Sequence, residues 1–112
     1  MKPPENFTRI IDRKRYSTAT ATLIASDVYW DGHNMERHGR NTFLYQTPRG
    51  AYFTVTLTQW QGEQDNLAPV DIDEAIRLYE GALTEHAVDY GEAFPEVEVE
   101  DAGATQSLIP KG

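Results

Sequence analysis

An α+β fold is predicted, in which a small antiparallel sheet of two β-hairpins carries a short intervening helix and two C-terminal helices. Three observations predict it. Residues 41–57, NTFLYQTPRGAYFTVTL, alternate in polarity around a turn sequence; residues 8–17, TRIIDRKRYS, form a shorter strand–turn–strand pattern; and Asp71 and Asp89 each open a helical segment with a capping signal.

The long hairpin has a defined register. Pro48 and Arg49 suit the right-handed positions of a type I turn and Gly50 the left-handed one after it, a three-residue loop with a G1 bulge. Thr47 then faces Ala51, Tyr45 faces Phe53, Phe43 faces Val55 and Asn41 faces Leu57. The opposite face, with Gln46, Tyr52, Leu44, Thr54, Thr42 and Thr56, is mostly polar and β-branched and is expected to meet solvent. A slip of one residue would invert both faces.

In the first hairpin, Ile11 is expected opposite Lys14 and Ile10 opposite Arg15. Asp12 suits a type I′ turn, but Arg13 stands where glycine is favoured, so a looser turn is an equal alternative. The following STATATLIASD reads as a short helix capped by Ser17 or Thr18. Residues 27–40, DVYWDGHNMERHGR, read as a connection with one helical turn around residues 34–37. Residues 59–68 are polar and turn-rich, with Trp60 as an anchor.

Residues 70–83 carry the strongest helical pattern. Asp71 caps it, Glu74 completes a capping box, and Ile72, Ala75, Ile76, Tyr79, Ala82 and Leu83 recur at helical spacing. Asp89 with Glu92 opens a shorter helix through Phe94, which Pro95 stops. The domain organisation that follows is a flexible N-terminus over residues 1–7, one α+β domain over 8–94 and an acidic, disordered tail over 95–112, where Val97 and Val99 offer an alternative edge strand. The expected core is Phe43, Tyr45, Phe53, Val55, Leu57, Ile72, Ile76 and Tyr79.

Composition narrows the function classes. With 39% hydrophobic and 25% charged residues the chain has the balance of a globular protein, and no apolar run reaches the roughly 20 residues of a membrane span, so no membrane partner is expected. Its first ten residues lack the apolar stretch of a secretory signal, and cysteine is absent, which makes the cytoplasm the expected location. The net charge of −8 divides unevenly, at +3 over residues 1–56 and −11 over residues 57–112. Such polarity suits either attraction between basic strands and acidic helices or a basic face toward an anionic partner.

The side chains with chemical potential crowd the connection. Asp31, His33, Glu36 and His38 are all metal-ligand types, but histidines five apart do not share a helical face and match no familiar zinc spacing. No Gly-x-Ser-x-Gly, Gly-x-Gly-x-x-Gly or phosphate-loop sequence occurs, so neither an enzyme nor any cofactor is expected. Tyr29, Trp30, Tyr52 and Trp60 either complete a small core, the first-ranked reading, or with Arg40 and Arg49 supply the residue types of a protein interface, ranked second, or of a platform for single-stranded nucleic acid, ranked third. The candidate binding residues are therefore Trp30, His33, Arg37, His38, Arg40, Arg49, Tyr52 and Trp60.

The stretch IIDRKRYSTATATLIAS resembles the opening of an uncharacterised family of short bacterial and phage-associated proteins, which begin Ile-Asp-Gly-Lys-Arg-Tyr-x-Thr-x-Thr-Ala. LYQTPRGAYF is similar to their middle, and VDIDEAIRLYEGAL with VDYGEAFP to their ending. The likeness spans residues 9–100, with Arg13 in place of the usual glycine. It implies a compact α+β domain and carries no activity.

The function expected from the sequence is a small non-enzymatic binding or regulatory module acting through contacts with another protein or with a second copy of itself. A nucleic-acid binder using the basic hairpin and loop ranks second, and a metal-dependent enzyme using the His33 and His38 loop third.

Overall fold

In the computed structural model the turn at residues 47–51 forms as its sequence dictates. Thr47 N donates to Ala51 O at 2.8 Å, Gly50 N donates to Thr47 O at 2.9 Å, and Gly50 has φ +93°, which a side-chain-bearing residue would adopt only under strain. The structure describes residues 3–28, 39–59 and 62–102. Trp30, His33, Arg37, His38 and Trp60 lie outside them, as do the helical turn expected around residues 34–37 and the end of the tail.

The architecture is α+β, with strands in two antiparallel sheets. The first is a hairpin of β1 (Thr8–Ile11) and β2 (Lys14–Ser17). The second has five strands in the order β6-β5-β4-β3-β7: β3 (Thr22–Ser26), β4 (Arg40–Gln46), β5 (Tyr52–Thr58), β6 (Asn66–Val70) and the two-residue β7 (Glu85–His86). Helices α1 (Ile72–Glu80) and α2 (Tyr90–Ala93) follow the last long strand. Among the described residues no helix is long and apolar enough to cross a membrane.

Both hairpin registers agree with expectation: Tyr45 opposes Phe53 and Phe43 opposes Val55, while Ile11 opposes Lys14 and Ile10 opposes Arg15. The first turn is the tight one. Asp12 and Arg13 both have positive φ, +53° and +65°, as a type I′ turn requires. Aspartate tolerates that region and arginine does not, so Arg13 carries strain of roughly 1 kcal/mol. Arg13→Gly should therefore raise stability by about 0.5–1 kcal/mol, seen as a higher urea midpoint at an unchanged slope; an unchanged or lower midpoint would remove the claim of strain.

The segment expected to be a helix after Ser17 is a strand. Ser17 organises turns instead, its carbonyl accepting from Thr20 N and Ala21 N and its hydroxyl from Ala19 N. Residues 22–26 then run as β3 against β4 with Ile24 unpaired at a bulge, because β-branched residues such as Thr22 and Ile24 lose rotamer freedom in a helix and pack well on a pleated sheet. A register shift between Leu23 and Ala25 lets Leu23 pack on one face while Ile24 and Ala25 pack on the other.

A second departure lies in residues 59–68, read as turn, which end in β6. Pro69 masked it. Proline donates no ladder hydrogen bond, but β6 is the outermost strand and its free edge tolerates that loss. The strand pairs fully with β5, Val55 opposite Leu67 and Phe53 opposite Pro69.

Neither face of the large sheet is left to solvent, contrary to the expected alternation. On one face Phe43, Tyr45, Phe53, Val55 and Leu67 are covered by Tyr16 of β2. On the other, Leu44, Tyr52, Ile24 and Ala25 meet Ala75 and Tyr79 of α1, Leu83, Ala93 and Phe94. The helices thus cover the face read as polar, and the first hairpin covers the aromatic face as a separate layer. Of the expected core, Phe43, Tyr45, Phe53, Val55 and Tyr79 are buried; Leu57 and Ile76 are half-buried, and Ile72 is 41% exposed because it begins α1 beside the sheet rim.

Both helix starts form at the expected caps. Asp71 Oδ1 accepts from Glu74 N, and Asp89 Oδ1 from Glu92 N, each at 2.8 Å. Glu74 does not close its box: its carboxylate turns forward to pair with Arg77. Beyond Pro95, Val97 packs on the helical cluster without forming a strand, and Val99 is exposed.

Candidate functional site

The first hairpin is held across the sheet by aromatic packing. Tyr16 meets Phe53 edge-on at 5.6 Å between ring centroids, and Phe53 stacks on Tyr45 at 5.3 Å. At its open end, Phe7 N donates to Thr18 Oγ1 at 2.8 Å and Thr18 N to Phe7 O at 3.0 Å. These contacts set the tip of the first hairpin beside the tip of the second. Between the tips lies an open cleft of about 600 Å³, lined by Arg13, Lys14 and Arg15 from one turn, Pro48 and Arg49 from the other, and Tyr16 at its base.

Four cations line this cleft, and among the described residues no carboxylate does. The absence of acid partners is a consequence of topology. The two tips project from the end of the sheet where Pro48, Arg49, Gly50 and Ala51 are exposed, whereas the acidic residues of the second half are spread over the loop before β6, the helices with their caps, and residues 96–101. Among the described residues the four cations make no ion pair.

A second hollow, of about 490 Å³, adjoins the first and shares Lys14, Tyr16, Arg49 and Ala51 with it. Its walls are different in kind. Pro69, Val70 and Ile72 form one side and Phe94 and Pro95 another, with the carboxylates of Asp71 and Glu96 at the rim. Its floor is Tyr52, whose hydroxyl donates to Ala93 O at 2.6 Å and accepts from Gln46 Nε2 at 3.2 Å. Burial raises the Tyr52 phenol pKa, and the neighbouring Glu96 charge raises it further.

The structure separates the described candidates. Arg49 stands in the cleft. Tyr52 is only 6% exposed, its ring under α2 rather than on an open outer face. Arg40 forms a bidentate pair with Glu63, with Nε to Oε1 at 3.1 Å, and Thr58 Oγ1 donates to the same carboxylate at 2.7 Å. The Arg40 hydrogen bond, then that of Thr58, holds the Glu63 carboxyl below its ordinary pKa. Attraction between basic first half and acidic second half is therefore realised at Arg40. Arg13, Lys14 and Arg15 form a basic run in the sequence, and the hairpin pattern that puts this run at the tip and the start of β2 is the signal that could have found it as a site.

No titratable cluster among the described residues has metal-holding geometry. Tyr45 is the most perturbed phenol, pushed up to about 12 by burial, with its hydroxyl donating to Pro4 O at 3.3 Å. Because the folded pKa exceeds the ordinary value of about 10, the neutral phenol's contribution is complete below pH 10 and is lost as pH rises through 12. Tyr45→Phe should accordingly flatten the fall in urea midpoint between pH 10 and pH 12. Parallel curves for the two proteins would show that Tyr45 ionises as freely folded as unfolded.

Comparison of the chain with protein-family models, with curated proteins and with solved structures finds no match.

Proposed function

We propose that this chain is a small non-enzymatic binding module that acts through protein contacts, docking an acidic segment of its partner in the cleft between the two hairpin tips. The observation that carries this reading is the set of four cations, Arg13, Lys14, Arg15 and Arg49, around one cleft with no carboxylate among its described lining residues, on a chain of net charge −8. Like charges gathered on two turns repel one another, and an anionic partner relieves that repulsion while its approach is steered by the local field. Arginine adds planar, bidentate recognition of carboxylate or phosphate groups.

The same cations support a second reading, the binding of single-stranded nucleic acid. It ranks lower for a structural reason: the tyrosines that reach the cleft and its extension, Tyr16 and Tyr52, are 7% and 6% exposed and offer no free ring faces on which bases would stack.

The test is fluorescence anisotropy with a labelled hexaglutamate peptide and a labelled oligothymidine of equal charge, from 20 to 300 mM salt. Peptide binding that weakens with salt and is lost in Lys14→Glu/Arg49→Glu is expected. Absence of binding at the lowest salt would remove the cleft reading, and oligothymidine binding at least tenfold tighter would move the second reading to first place.

A further inference from the structure

The two hollows adjoin and differ in chemistry, and together they make one groove along the surface. We infer that the groove is bipartite and takes an extended peptide whose carboxylates lie against Arg13, Lys14, Arg15 and Arg49, and whose next residues are apolar and lie against Val70, Ile72 and Pro95. This rests on the reading of the cleft as a docking site and names the partner's chemistry.

Three observations carry it. The hollows adjoin, with Lys14, Tyr16, Arg49 and Ala51 in the walls of both, so an extended chain seated in one reaches the other across these residues. Ile72 is one of three large apolar side chains exposed among the described residues, and it stands where the basic cleft gives way to apolar walls. Asp71 and Glu96 rim the far part, where a chain bearing a negative charge at every step would meet like charge. Polynucleotide and polyglutamate are therefore disfavoured along the whole groove, and an acidic-then-apolar peptide is favoured. Such a peptide is recognised by side chains. Pro69 interrupts donor groups along the neighbouring sheet edge, so simple strand addition there is blunted.

The test compares two labelled peptides by anisotropy, three glutamates followed by Gly-Leu-Ile and three glutamates followed by Gly-Ser-Ser, with oligothymidine as competitor. The apolar peptide is expected to bind about tenfold tighter, the gain of partly burying one aliphatic side chain. Ile72→Ser is expected to remove the gain and leave the weaker, salt-sensitive binding, because Ile72 is exposed at a helix start where serine is tolerated and adds no charge. Arg49→Glu is expected to weaken both peptides. Equal, salt-sensitive affinities for the two peptides would overturn the bipartite groove while leaving the cleft reading in place. Failure of both peptides to bind would overturn both, and displacement of both by equimolar oligothymidine would reassign the groove to nucleic acid.

Discussion

Phe53→Ala is expected to cost about 3–5 kcal/mol, which removes most of the stability of a domain in this size range. Phe53 is fully buried on the interior strand β5 and joins both neighbours in the aromatic layer, Tyr45 stacked and Tyr16 edge-on. Its truncation opens a cavity between two sheets that have no backbone hydrogen bonds to close it, so the first hairpin loses its main anchor along with the sheet. Thr54→Ala, one residue on and on the opposite face, loses only the 3.4 Å contact of its hydroxyl with Ala68 O and should cost under about 1 kcal/mol. Equal urea midpoints for the two variants would mean that the face assignment of β5 is wrong. Because the same anchor positions the hairpin tip, Phe53→Ala should also abolish peptide binding under conditions where it still folds.

What was legible in the sequence was what short-range chemistry decides. The Pro48-Arg49-Gly50 turn fixed the β4–β5 register, and Asp71 and Asp89 fixed the helix starts, since each signal is satisfied within a few residues of itself. What was not legible depended on partners far along the chain. β3 is a strand because β4 and β7 flank it; its small residues and threonines leave local preference balanced enough for tertiary pairing to decide. The same limit applied to the site. Lys14 and Arg49 each stood out as basic turn residues, but only the packing of Tyr16 on Phe53 puts their turns beside one another. Arg40, similar in sequence context, is instead taken up by Glu63, whose position depends on the course of the chain before β6.

Leu44→Ala is the substitution on which sequence alternation and structure disagree most. Alternation puts Leu44 among Thr42, Gln46 and Thr54, on a face read as solvated, where its truncation would be nearly neutral. In the fold it is fully buried between Ala25 and Thr54 on the sheet, under the helical layer that includes Ala75, Tyr79 and Phe94. Removing its three outer carbons forfeits their burial and leaves a cavity that α1 is poorly able to fill, because Asp71 caps one end of the helix and Tyr79 is fixed at the other by its hydroxyl bond to Val88 O at 2.8 Å. The expected cost is about 2–5 kcal/mol. Leu44→Gln, although it suits a polar face, should destabilise at least as much, since the amide would be buried without water. Equilibrium urea denaturation of the two variants decides the matter: a loss below about 0.5 kcal/mol in both would mean that the helices do not cover this face and that its solvated reading was right.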